Sequence, residues 1–166
     1  MPAIRLATAA DAAPIQGLVQ RAYRGQAARA GWTHEADLLD GERIALAELE
    51  ALLATPTERV LVVDDGDRPI GCVRVADLGG DHAYLGMLAV EPGRQTGGLG
   101  RTLVAAAEAF AVDTYGANRM EMTVIDRRAE LIAWYQRQGY REIGTCPFPL
   151  TVEPPLTMVV LAKALA

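Results

Sequence analysis

The stretch "VEPGRQTGGLGRTLV", residues 90–104, holds the residues best suited to ligand chemistry. Gly97, Gly98 and Gly100 fall close together, Arg94 and Arg101 flank them, and an apolar run follows. Glycine removes the Cβ that would hold a ligand away from the backbone. A helix's first-turn N–H groups have no partner within the helix and favour anions. Such a turn is suited to a phosphate group, or else it is only a tight connection from strand to helix.

Two familiar phosphate turns do not fit. A P-loop requires lysine after its last glycine, and Leu99 follows Gly98. A dinucleotide fingerprint requires G-x-G-x-x-G inside a parallel unit. Leu103 stands where its third glycine belongs, and the preceding elements read as antiparallel. A nicotinamide-dependent oxidoreductase is therefore disfavoured.

What remains is Val90, Pro92, Gln95, Gly98, Gly100 and Leu103 between a strand and a long helix. In this pattern the chain resembles the GNAT superfamily of N-acetyltransferases, whose acyl-CoA pyrophosphate loop it follows. A second segment, "ELIAWYQRQGY", resembles the family's other signature through Trp134, Tyr135, Gly139 and Tyr140. Leu131 takes a usual alanine place, and Arg128 stands where asparagine is common.

The resemblance implies acetyl-CoA as the acyl donor cosubstrate. It would be bound by Leu88, Ala89, Val90, Gln95, Thr96, Gly97, Gly98, Leu99, Gly100 and Arg101. The pantetheine arm would pair along Leu88-Ala89-Val90, with "RMEMTVI" as the strand that splays away. A backbone N–H near Leu88 would stabilise the oxyanion. Tyr135 would be the catalytic acid for the leaving thiolate.

The general base is less legible. A glutamate of many family members corresponds to Tyr84 here. Glu121 and His82 are substitutes, and loss of the amine's proton to solvent is a further route. Trp32, Glu35, Tyr84 and Glu121 are the candidate acceptor-pocket residues, with His34 and Asp37 in the same polar stretch and Phe148 and Leu150 as a possible far wall. The expected function is acetyl transfer to a primary amine of a small molecule, amino acid or peptide, by direct attack in a ternary complex. The alternative is an acyl-CoA-binding sensor with little transfer, which the departure at Tyr84 would suit. A ping-pong route through Cys72 or Cys146 is disfavoured, since both lie in apolar strand-like stretches with no histidine near in sequence.

The elements that must position these residues follow from periodicity. The 166 residues suit a single domain over residues 1–166, without repeats. A short strand "AIRLA" precedes a helix opened at Thr8 and Asp11 and carried by Ile15, Leu18, Val19 and Ala22 to about Arg24. Ile44, Leu46, Leu49, Leu52 and Leu53 mark a second helix, stopped at Pro56. "RVLVVDD", "IGCVRVADL" and "HAYLGMLAV" form an antiparallel meander. A helix over residues 98–115, the strand "RMEMTVI", a helix over 128–139 ended by Gly139, and the strands "YREIGTC" and "LTMVVLAKA" complete the chain. The fold class is mixed α/β, a GNAT-like, mostly antiparallel sheet of six to seven strands with a splayed pair and about four helices.

A composition of 51% hydrophobic and 22% charged residues is that of an ordinary globular protein. The net charge of −5 argues against a nucleic-acid partner. No signal sequence, membrane span or metal-ligand cluster is expected, so the cytoplasm is the default location. Homodimerisation through the last strands is a further expectation of the resemblance.

Overall fold

The computed structural model describes residues 3–24, 43–95 and 97–165. Seven strands form one sheet: β1 (Ile4–Leu6), β2 (Glu58–Asp65), β3 (Arg68–Gly79), β4 (His82–Val90), β5 (Arg119–Ile125), β6 (Arg141–Pro147) and β7 (Thr157–Ala164). Their spatial order is β1-β2-β3-β4-β5-β7-β6. Every neighbouring pair is antiparallel except β4 and β5. Among the described residues the α-helices are α1 (Ala12–Tyr23), α2 (Leu46–Leu53), α3 (Leu99–Tyr115) and α4 (Ala129–Arg137). The expected order of elements and sheet size are both found.

Alternation along the strands divides the core between the two faces of the sheet. Val60 and Val62 of β2 join Cys72, Ile15, Leu18, Val19 and Leu49 beneath α1 and α2. Leu61 and Val63 face the other way and pack with Leu85, Leu103, Ala107, Met120 and Tyr135 beneath α3 and α4. Leu18, Leu49 and Leu103 have no exposed surface, so each contributes about 1.5–3 kcal/mol by burial.

Local chemistry explains the helix limits. The Asp11 carboxylate accepts the Thr8 N–H at 2.7 Å, as the Thr8–Asp11 spacing anticipates. A 3-10 turn, Ala9–Asp11, precedes α1. The helix ends at Tyr23, one residue short of the expected limit. Gly116 takes φ +64° at the end of α3 and returns its N–H to Val112. Gly139 takes φ +101° just after α4.

Two departures from sheet regularity shape the middle of the molecule. Parallel pairing of β4 with β5 stops at Tyr84↔Glu121. Beyond it no strand among the described residues pairs with the β5-facing edge of β4, so "RMEMTVI" is the splayed strand that the sequence suggested. The β3–β4 register also shifts, with Cys72 opposite Ala89 but Arg74 opposite Gly86. The extra residue lies in β4, where Met87 has φ +51°, an uncommon angle for a side chain of that size. Such strain persists only where the surroundings fix it.

Candidate active site

A cleft of about 440 Å³ opens between the end of β4 and α4. Its walls are the end of β4 (Leu88, Ala89, Val90), the following loop and helix start (Gln95, Gly98, Gly100, Arg101), and α4 (Leu131, Trp134, Tyr135, Arg137). The residues expected at a cofactor site from two distant motifs therefore meet in one place. Leu99 instead packs into the core and is buried. Gly97 adjoins the turn, and Thr96 lies outside the described residues.

The glycine turn is set by backbone requirements. Gly98 has φ +77° and ψ 7°, the left-handed conformation, immediately before α3. At Gly100 an added Cβ would meet the Trp134 ring at 3.4 Å, an ordinary contact, so Gly100 marks where the first turn of α3 packs on α4. The Gln95 side-chain amide donates to the Val90 carbonyl at 3.2 Å and folds the loop back onto the strand end. Arg94 pairs with Asp65. Of the two arginines flanking the glycines, Arg101 lines the cleft.

A second cleft, of about 550 Å³, adjoins the first. Tyr23, Leu88, Arg128, Leu131 and Tyr135 line both. Tyr135 thus stands where the two clefts meet. Its ring is held edge-on by Trp134 and Tyr140, with centroids 5.0 and 5.9 Å away. Burial pushes its pKa above the ordinary tyrosine value of 10, and the Arg128 charge pulls weakly the other way. The hydroxyl accordingly stays protonated at neutral pH.

Tyr23 ties α1 to the same place. Its hydroxyl donates to the Leu88 carbonyl at 2.6 Å, beside the irregular step in β4. The Arg21–Glu91 pair, 2.9 Å apart, fixes the same helix end over the end of β4. The guanidinium carbons of Arg43 and Arg128 lie 5.0 and 5.5 Å from the Tyr23 ring centroid.

The acceptor-pocket candidates are dispersed. Trp32 and Glu35, with His34 and Asp37, lie outside the described residues. Tyr84 lines the second cleft and shares a hydrogen bond with Thr123, 2.8 Å across the opening between β4 and β5. Glu121 is not brought to either cleft. Its carboxylate lies 3.3 Å from His82 Nδ1 and 3.6 Å from Arg119 Nε, at the closed end of the β4–β5 pair. His82 is likewise outside the lining. Phe148 and Leu150 do form part of the second wall. Cys72 is fully buried, and burial pushes its thiol up to about 12. It holds no reactive thiolate at neutral pH.

Sequence reasoning had Tyr23 and Arg43 only as the two ends of the stretch expected to wall the acceptor pocket, without singling them out, and it missed Glu48 as a lining residue. Tyr23 ends an amphipathic helix and Glu48 lies in the first turn of another, so each reads locally as ordinary helix chemistry. Arg137 was missed for the same reason, as a cation in the last turn of α4.

The two clefts meet at a protonated donor, and a phosphate-compatible turn stands at the end of an open strand edge. Among the described residues, no three His, Cys, Asp or Glu side chains form a metal-binding group, and no helix is long and apolar enough to cross a membrane. A model of the acetyltransferase (GNAT) family matches residues 22–140. No curated protein sequence matches the chain. Among solved structures, an acetyltransferase of the GNAT family from Streptococcus pneumoniae is similar over 100% of both chains, with 20% identity and a TM-score of 0.74. A GNAT-family acetyltransferase from Staphylococcus aureus also covers 100% of both, with 12% identity and a TM-score of 0.74. A chimeric spermidine N-acetyltransferase from Vibrio cholerae is similar over 98% of this chain and 94% of its own, with 18% identity and a TM-score of 0.73. At such identities the likeness is one of fold.

Proposed function

Since the chain belongs to the GNAT acetyltransferase family, we propose that it transfers an acetyl group from acetyl-CoA to a primary amine by direct attack in a ternary complex. The observation that carries this reading is the position of Tyr135, on the lining of both clefts. One cleft has the features of a donor site and the other has room for an acceptor.

The residues fit acetyl-CoA on two counts. The left-handed Gly98 turns the backbone into the start of α3, whose first-turn N–H groups suit a pyrophosphate. Among the described residues no strand covers the β5-facing edge of β4 beyond Tyr84, so Leu88, Ala89 and Val90 can pair with an extended arm. Arg101 and Arg137 add local positive charge to an acidic protein.

Bound acetyl-CoA supplies an electrophilic thioester carbonyl and a thiolate leaving group. The chain's residues hold and protonate. Tyr23 fixes the Leu88 carbonyl, and with it the peptide plane beside the bulge, which is the place for an oxyanion-stabilising N–H. Tyr135 keeps a proton at its hydroxyl oxygen for the leaving sulfur. No described carboxylate is assigned as general base, and an amine that sheds its proton to water before entering needs none.

A sensor that binds acyl-CoA with little turnover is the second reading, motivated by Tyr84 at the expected glutamate position. Release of free thiol from acetyl-CoA with a broad amine panel separates the two. Amine-dependent release supports transfer, and binding without any release supports the sensor. A cytoplasmic location and a homodimer belong to the same proposal. Among the last strands, β6 is an edge strand with Ile143 exposed, a place for a second copy to pair. A strictly monomeric mass in solution removes the dimer.

A further inference from the structure

Resting on the transferase reading, we infer that Glu108 is a positioning residue for the reaction: through the Tyr140 hydroxyl it fixes Tyr135 relative to the helix that receives the donor. Tyr140 stands between Gly139 and β6 and is only 1% exposed. Its hydroxyl donates to Glu108 Oε2 at 2.8 Å. Lys163 Nζ, from β7, lies 3.0 and 3.1 Å from the two oxygens of the same carboxylate. None of the three residues lines either cleft. Burial first, and then the Glu108 charge, hold the Tyr140 phenol above its ordinary 10, so it remains the donor at neutral pH.

The first reason is how lightly α4 is held. It has nine residues, and only Leu131 and Tyr135 of them are buried. The helix that carries the acid is thus anchored by few side chains, one of them the acid itself. Beyond it, β6 is an edge strand whose residues 141–145 are all exposed. The grip on the end of α4 therefore falls to Tyr140. Its N–H donates to the Tyr135 carbonyl at 3.2 Å. Its ring meets the Tyr135 ring edge-on, with centroids 5.9 Å apart.

The second reason is where that grip leads. Trp134 and Tyr140 flank the Tyr135 ring, and both also meet α3. Trp134 packs at Gly100, in the first turn. Tyr140 bonds to Glu108, about two turns further along the same helix. Tyr135 is thus held between two fixed points on the helix whose N-terminus is the phosphate-compatible turn. A hydrogen bond to a carboxylate is stronger than one between neutral groups. An acid that must meet a sulfur held by α3 gains from being fixed to α3, since misplacement by about 1 Å costs about a hundredfold in rate.

The test measures amine-dependent thiol release and acetyl-CoA affinity with the full chain. Tyr140→Phe keeps the ring, leaves the Glu108–Lys163 pair intact and removes the hydroxyl. It should lower kcat by about tenfold to a hundredfold, with acetyl-CoA affinity unchanged. Glu108→Gln keeps an oxygen that accepts from Tyr140 and should retain most of kcat. Glu108→Leu should match Tyr140→Phe, and the tyrosine variant decides if the leucine one does not fold. Val60→Ala, in the core on the other face of the sheet, is the control for lost stability alone, and its kcat should equal the parent's. A double-mutant cycle then separates positioning from structure. In a Tyr135→Phe background, Tyr140→Phe should lower kcat no further, whereas a merely structural tyrosine costs the same in both backgrounds. Parent-like kcat in Tyr140→Phe or folded Glu108→Leu, an equal fall in Val60→Ala, or an undiminished loss in the Tyr135→Phe background overturns the inference. Parent-like kcat in Tyr135→Phe removes the acid and this inference together, while acetyl transfer itself stands. No amine-dependent thiol release by the parent chain overturns the transferase reading, and the inference with it.

Discussion

Replacing Gly98 by valine tests whether the glycine turn is there for its backbone shape. Gly98 sits at φ +77°. The nearest atom to an added Cβ is the Arg101 guanidinium nitrogen, 3.7 Å away. The cost of a side chain is therefore conformational and not one of crowding. A left-handed residue with a Cβ costs about 1–2 kcal/mol, and a β-branched one is disfavoured further. For a chain of this length that range lowers Tm by about 2–8 °C. If the loop relaxes to avoid the strain, the first-turn amides of α3 move, and acetyl-CoA affinity falls by about tenfold for each 1.4 kcal/mol lost. Gly93→Ala is the control in the same loop. It has no positive φ, no atom lies within 4 Å of its added Cβ, and its Tm should match the parent. The assay is calorimetric melting of each variant, followed by titration with acetyl-CoA. Equal melting temperatures for Gly98→Val and Gly93→Ala would refute the conformational argument. A lowered Tm with unchanged affinity would separate the turn from the pyrophosphate.

Three other outcomes are expected. Tyr135→Phe keeps the ring that packs on Trp134 and Tyr140, so it should lower kcat by about 10²–10⁴-fold with acetyl-CoA affinity unchanged; equal turnover removes Tyr135 as the acid. Tyr23→Phe deletes the 2.6 Å bond to the Leu88 carbonyl and should cost about 1 kcal/mol in urea unfolding, with a fall in kcat; unchanged kcat would detach that bond from the chemistry. Burial pushes the Cys72 thiol up from its ordinary 9.0 to about 12 in the folded chain. Above pH 9 the unfolded chain binds fewer protons at this thiol, so its contribution to stability falls as the pH rises through the alkaline range. Cys72→Ala should flatten that part of the alkaline stability curve, and an unaltered slope contradicts the burial argument.

The fold was legible because local patterns and tertiary demands agree. The continuous apolar run in "RVLVVDD" suits a strand covered on both faces, and it buries Val60 and Val62 on one face of the sheet and Leu61 and Val63 on the other. The spacing of Leu103, Ala107 and Ala111 gave α3 its buried side. The glycine turn was legible through residue type, since few other residues tolerate the backbone at Gly98. The splay of β5 came from resemblance to a family, because no local pattern marks where pairing stops after Tyr84. The junction was least legible. Tyr23, Arg43 and Arg128 come from three separate segments and meet only through the packing of α1 on β4, which no spacing rule encodes. Glu121 illustrates the converse: it neighbours Tyr84 across the parallel pair, but its carboxylate turns to His82 and Arg119.

The central claim is that the turn between β4 and α3 receives a CoA pyrophosphate. Calorimetric titration of the purified protein with acetyl-CoA, with NAD and ATP as controls, addresses it most directly. Saturable one-to-one binding of acetyl-CoA, far tighter than either control and weakened in Gly98→Val, is the predicted result. No acetyl-CoA binding, or binding no tighter than that of ATP, would contradict the account.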